Sequence, residues 1–135
     1  PQEKRIEFPV AEDFQMGFCT GLSLENYVPI SFYPRMDFII LSLNQMLNHL
    51  DKFEVMTNGR YKPVQIIRTA VGSLQPLNGG VQHTQNYASE LKSMTTNINV
   101  VFLEEAEQIF DSFVDAYNST QSTILVEYAD YYKIK

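Results

Sequence analysis

Between residues 98 and 128 the chain spells strand, helix and strand in succession, and few folds accept that order. Ile98-Asn-Val-Val-Phe-Leu103 is a β-branched and aromatic run of strand length. Glu104–Asn118 then spaces Ala106, Ile109, Phe110, Phe113, Val114 and Tyr117 three and four residues apart, which predicts one apolar face of a helix. Ser119–Ser122 reads as a turn, and Thr123-Ile-Leu-Val-Glu-Tyr128 as a second strand. Strands joined through a helix of this length run parallel, with the helix packed on the sheet.

The same alternation holds upstream. Arg5-Ile-Glu-Phe8 is a short β-prone run stopped by Pro9. Residues 12–25 read as a helix with Phe14, Phe18 and Leu22 on its apolar face and Asn26 at its end. Gly17 and Gly21 share a second stripe of that helix, which suggests close backbone packing, because glycine otherwise costs about 1 kcal/mol there. Val28-Pro-Ile-Ser-Phe-Tyr33 is a strand ended by Pro34. Asp37 is placed to cap a helix over 37–51, with Ile40, Leu43, Leu47 and Leu50 as its buried stripe and Ile39 and Met46 on the flanks. Asn58-Gly59 marks a turn, and Val64-Gln-Ile-Ile-Arg-Thr69 a strand covered on both faces. Residues 70–82, punctuated by Gly72, Pro76, Gly79 and Gly80, form a long loop before a short helix at 86–94. Pro1–Lys4 and Tyr131–Lys135 read as polar ends. The expectation is one domain over 1–135. Its class is α/β: an open, mostly parallel sheet of about five strands with helices on both faces, a flavodoxin-like three-layer architecture.

Charge and composition exclude several partners. The net charge is −6 and the pI about 4.8. Nucleic-acid binders carry a basic patch, so no nucleic-acid partner is expected. No polybasic run faces an anionic membrane, and no apolar stretch approaches the ~18 residues of a membrane span. A cytoplasmic protein is the expectation. Cys19 is the only cysteine, has no metal-type spacing, and reads as a small packed residue.

Three residues stand out as candidates. Glu12 sits where the first strand hands over to the first helix, and open α/β sheets bind ligands outside the carboxyl ends of their strands. An acid in a first helical turn is also simply favoured by the macrodipole. Phe38, at the start of the second helix, reads as core by its type. His83 lies in the glycine-rich loop, where a histidine serves either as a surface residue or as an acid–base group.

Pro9-Val-Ala-Glu12, with Gly17 and Gly21 following, resembles the thiamine-diphosphate-binding pyrimidine domain of the transketolase superfamily, most of all the beta subunit of 2-oxo acid dehydrogenases. The resemblance continues in order through Met36-Asp-Phe38, Leu43-Asn-Gln-Met-Leu-Asn48, Lys52, Met56 and Gly59, Arg68-Thr-Ala-Val-Gly72, Gly79-Gly80 and His83-Thr-Gln85. It covers about residues 5–130, the strands at 98–103 and 123–128 included. It implies that Glu12 hydrogen-bonds N1′ of the cofactor's aminopyrimidine, stabilising the imino tautomer whose 4′-nitrogen deprotonates the thiazolium carbon. It implies that Phe38 stacks on that ring and that His83 is an acid–base or substrate-orienting group. Ser31-Phe32 and Asn44-Gln45 depart from the family's acids at those places. These residues contain no Gly-Asp-Gly…Asn segment of the kind that holds Mg²⁺ and diphosphate in the family, so against the family's pattern the expectation is that the diphosphate-binding and C-terminal domains are absent.

The resemblance thus implies the pyrimidine-domain component of a split thiamine-diphosphate enzyme, an oxidoreductase acting on a 2-oxo acid, or on a ketose if transketolase-like. Mg²⁺ would enter only through a diphosphate-binding partner chain or a homo-oligomer. An assembly of that kind implies an exposed apolar face along the first helix. The alternative is a non-catalytic interaction or regulatory module that keeps the fold, since fold alone does not fix function.

Overall fold

A computed structural model describes residues 4–133. Four strands, β1 (Ile30–Tyr33), β2 (Ile66–Val71), β3 (Ile98–Phe102) and β4 (Ser122–Tyr128), form one sheet in the order β1-β2-β4-β3, and every pair is parallel. The α/β class and the open parallel sheet therefore stand, with four strands rather than five. Arg5–Phe8 is the missing one. It takes no strand conformation, and its side chains are largely exposed. β-prone residues without a neighbouring edge to pair with gain nothing from extending.

Helix α1 spans Glu12–Leu24. Helix α2 begins as Met36–Ile39, tightens into a 3₁₀ turn at Ile40–Ser42 and widens into a π-helix at Asn44–Leu50, where the Asp51 N–H reaches back five residues to the Met46 carbonyl at 2.9 Å. Short α3 (Phe53–Met56) leads to a turn in which Asn58 and Gly59 both take positive φ, 52° and 75°, the backbone their sequence announces. Helix α4 is Ala88–Met94 and α5 is Ala106–Asn118, followed after β4 by a 3₁₀ turn at Ala129–Lys133. Of the polar ends expected from sequence, Pro1–Glu3 and Ile134–Lys135 lie outside the described residues.

The sheet's two faces differ. On the closed face, Tyr33, Ile67, Ile124 and Val126 meet Met16 of α1, Met36, Ile39, Met46 and Leu50 of α2, and Leu91 of α4. On the other, Ile66, Leu103 and Leu125 meet only Ala116 and Phe113 of α5, with Val28 and Val101 alongside. The chain moves one way across the sheet until β3 and then turns back to β4, so the right-handed crossover rule puts α5 alone on the opposite side.

Two helical stripes differ from expectation. α1 buries Met16, Cys19, Thr20 and Ser23, while Phe14 and Phe18 stay exposed and gather with Phe8 in an edge-to-face cluster. The buried hydroxyls are satisfied locally: Thr20 donates to the Met16 carbonyl and Ser23 to the Thr20 carbonyl. In α2 the buried row is Ile39, Ser42, Met46 and Leu50, and Ile40 is exposed. The buried four recur at three, four and four residues, so the 3₁₀ and π stretches together keep the helical period, with Ile39 rather than Ile40 leading the inner row. Neither glycine packs against backbone as expected: a Cβ at Gly17 would lie 3.3 Å from the Gln45 side chain, and Gly21 faces open space.

Candidate functional site

The carboxyl ends of β1 and β2 gather the candidate residues. The Tyr33 hydroxyl donates to the Glu12 carbonyl at 3.4 Å, and the Gln15 side-chain amide donates to the Phe32 carbonyl at 3.1 Å. These bonds fix the start of α1 at the end of β1. Burial, with Cys19 close by, pushes the Tyr33 phenol well up, so it stays a neutral donor. Burial likewise lifts the Cys19 thiol to about 11, consistent with an inert packed residue. The Glu12 side chain is half-buried in the first turn of α1 and makes no hydrogen bond or ion pair among the described residues.

Phe38 and His83, far apart in sequence, stand together with ring centroids 5.4 Å apart at 74°, edge to face. The Phe38 ring is 39% exposed, not core. Two glycines set His83 in place. A Cβ on Gly72, just past β2, would lie 1.8 Å from the His83 carbonyl oxygen, and one on Gly79 would lie 2.8 Å from the His83 Cβ. No side chain fits at Gly72 while the loop keeps this path. The His83 N–H closes a turn onto the Gly80 carbonyl at 2.9 Å, and Gly80 takes φ of 85° to make it. Farther along, Asp130 Oδ1 accepts the N–H groups of Leu74 and Gln75. The long loop is thus pinned at both ends.

Asp37 is not the helix cap its position suggests. It lies inside α2, buried, and its Oδ1 accepts the Gln85 N–H at 3.1 Å, tying the loop to the helix. Its Oδ2 and the Nδ1 of His83 are buried without a hydrogen-bond partner. Buried polar atoms are normally satisfied, so two orphans flanking one loop are notable. The structure therefore brings Phe38, His83 and Asp37 together around residues 83–85. Glu12 lies at the same end of the sheet, across the end of β1, and makes no side-chain hydrogen bond to His83. A cavity of about 820 Å³ opens elsewhere, between α5 and β3.

A second constellation escapes sequence reading. Arg68 of β2 makes a two-pronged ion pair with Glu127 of β4, lies 4.5 Å from the Phe32 ring centroid, and shares Glu127 with the Tyr132 hydroxyl. The Glu127 bonds raise the Arg68 pKa, while burial and the same carboxylate lift the Tyr132 phenol to about 12. Adjacent strand register sets this pair, Ala70 lying beside Glu127, and no local motif announces it.

Among the described residues, no group of three or more His, Cys, Asp and Glu side chains could hold a metal ion, and no helix is long and apolar enough to cross a membrane. No protein-family model matches the chain, and no curated protein matches it.

Proposed function

We propose that this chain is the pyrimidine-binding half of a thiamine-diphosphate site, acting with a partner chain that holds diphosphate and Mg²⁺ in an enzyme of the 2-oxo acid dehydrogenase type. The observation that supports this most is the meeting of Phe38 and His83 at the carboxyl end of a parallel sheet, held there by Gly72 and Gly79. Core packing does not require a half-exposed aromatic ring beside a histidine with an unpartnered nitrogen. The residues fit the pyrimidine ring by their chemistry. Phe38 offers an apolar face for stacking, Glu12 a carboxylate with no competing partner, and His83 an imidazole whose buried Nδ1 has no partner within the fold. Thiamine diphosphate, when bound, supplies the electron sink for decarboxylating a 2-oxo acid. Glu12 holds a proton at the pyrimidine nitrogen, Phe38 keeps water from the ring, and His83 orients the substrate or moves its proton.

The exposed Phe14 and Phe18 also support the second reading, an interaction module without catalysis, because both readings use a partner. Amide NMR of the chain titrated with thiamine diphosphate and MgCl₂ tests the site. Shifts are expected at Glu12, Phe38 and His83. Glu12→Gln weakens them, and Gly72→Ala, which dislodges His83, removes them at Phe38. In complex with a diphosphate-binding chain, Glu12→Gln lowers turnover by roughly 10²–10⁴-fold, the contribution of a general acid–base group. Unchanged turnover, or shifts confined to the cavity beside β3, overturns the catalytic reading.

A further inference from the structure

Asn-Gly occurs twice in the chain, as Asn58-Gly59 and Asn78-Gly79, and both pairs are exposed. Asparagine before glycine is the pair whose side-chain amide is most open to attack by the next backbone nitrogen, because glycine has no Cβ to hinder the approach. The two pairs share one chemistry and differ in surroundings, so the fold decides which of them reacts.

At Asn58 the nucleophile is occupied. The Gly59 N–H donates to the Glu54 carbonyl at 2.8 Å, and the Asn58 N–H donates to the Val55 carbonyl at 3.1 Å. Both residues take positive φ, so the pair is locked into the left-handed turn that closes α3. Attack there must first break a backbone hydrogen bond.

At Asn78 the arrangement is reversed. The Gly79 N–H makes no hydrogen bond among the described residues. Here the electrophile is the group that is held. The Gly80 N–H donates to Asn78 Oδ1 at 2.8 Å, which draws electron density away from Cγ. That donor is itself fixed, because the Gly80 carbonyl accepts the His83 N–H at 2.9 Å and the Thr84 hydroxyl at 3.1 Å. On the other side, the Ser73 hydroxyl holds the Leu77 carbonyl at 3.0 Å. A positioned N–H on a carbonyl oxygen that becomes an oxyanion stabilises the tetrahedral intermediate.

We propose that Asn78 is a self-modification site, where the loop converts asparagine into aspartate and isoaspartate without an enzyme. Water or hydroxide takes the Gly79 amide proton, the nitrogen bonds to Cγ of Asn78, and the Cγ–Nδ2 bond breaks as ammonia leaves with a proton. The succinimide so formed takes up one water at either carbonyl. Opening at Cγ gives aspartate in an ordinary backbone. Opening at the main-chain carbonyl routes the backbone through the side chain and lengthens it by one carbon. Gly79 has no slack for that longer path, since even a Cβ on it would lie 2.8 Å from the His83 Cβ. Isoaspartate at position 78 therefore moves His83 off the Phe38 ring. None of these steps depends on the cofactor reading.

Warming the folded chain in mildly alkaline buffer, with peptide mapping by mass spectrometry, tests the proposal. Asn78 converts at least about tenfold faster than Asn58, a difference that one backbone hydrogen bond at each site can make. In concentrated urea, where neither hydrogen bond survives, the two convert at comparable rates. Asn78→Gln, whose longer side chain closes a larger and slower-forming ring, removes the fast release of ammonia and leaves the slow one. In the isoaspartyl fraction the amide peaks of Phe38 and His83 move. Equal rates in the folded chain, a faster Asn58, or the same preference for Asn78 in urea overturns the proposal. Unmoved Phe38 and His83 peaks in the isoaspartyl fraction overturn its link to the candidate site.

Discussion

The two faces of the sheet use the same kind of amphipathic helix to different ends. On the closed face, α1, α2 and α4 turn Met16, Ile39, Met46 and Leu91 onto Ile67, Ile124 and Val126, and each of these side chains is fully buried. On the open face, α5 has a regular apolar stripe yet buries only Ala116 completely. Amphipathic periodicity identifies an apolar face, whereas burial depends on what lies opposite. The closed face is where the fold's stability resides, and the open face is where surface remains for other molecules.

The largest expected difference is between the cores. Met46→Ala removes a fully buried side chain under the closed face and costs roughly 2–5 kcal/mol in urea unfolding, the range for such cavities. A loss below about 0.5 kcal/mol, the range of ordinary surface changes, breaks the contrast.

Asp51 sharpens it next. This buried carboxylate closes the end of α2 onto the entry to β3, accepting the N–H groups of Thr96 and Asn97 at 2.9 and 2.6 Å, the Thr96 hydroxyl and the Lys52 ammonium. Burial alone raises its pKa, but the Lys52, Asn97 and Thr96 bonds outweigh burial and hold the carboxyl below its usual value. Asp51→Ala is expected to cost about 3 kcal/mol, as hydrogen bonds to a charged group contribute ~1.5–3 each and some are replaced by water. A depressed carboxyl pKa contributes stability above its unfolded value, and that stability is lost as pH falls through the folded one. Wild type therefore loses stability on acidification below about pH 4, and Asp51→Ala flattens that limb. An identical acid slope in both proteins removes Asp51 from this role.

The smallest effect is on the open face. Phe110→Ala, at a ring 75% exposed, changes unfolding free energy by less than about 0.5 kcal/mol. A loss as large as that at Met46 means that α5 is buried in solution and the contrast is false.

Much of this architecture is legible in the chain. The strands at 30–33, 98–102 and 122–128 and the turn at Asn58-Gly59 lie within two residues of where patterning puts them, because β-branched runs and glycine turns are local signals. Which side of a helix is buried is not local. Phe14 and Phe18 look like core and are surface, while Thr20 and Ser23 look like surface and are core, because hydroxyls that bond their own helix can be buried. At the candidate site, Phe38 and His83 are suggested by type and spacing. The close approach at Gly72, the buried Asp37 and the Arg68–Glu127 pair depend on how distant segments meet, which no stretch of sequence displays.

The π-helical turns at Asn44–Leu50 have a consequence for how the chain can change length. A π-turn holds one residue more than an α-turn over the same rise, with the helix on either side kept in phase. Here that extra residue is offset by the tighter 3₁₀ turn at Ile40–Ser42, since the inner row Ile39, Ser42, Met46 and Leu50 keeps α spacing, so deleting one residue turns Asp51 away from Thr96. The same deletion in the middle of α1 or α5 rotates everything beyond it by about 100° and exchanges inner for outer residues. Within its helices, this domain therefore keeps its register only where the tight and the wide turns of α2 change together.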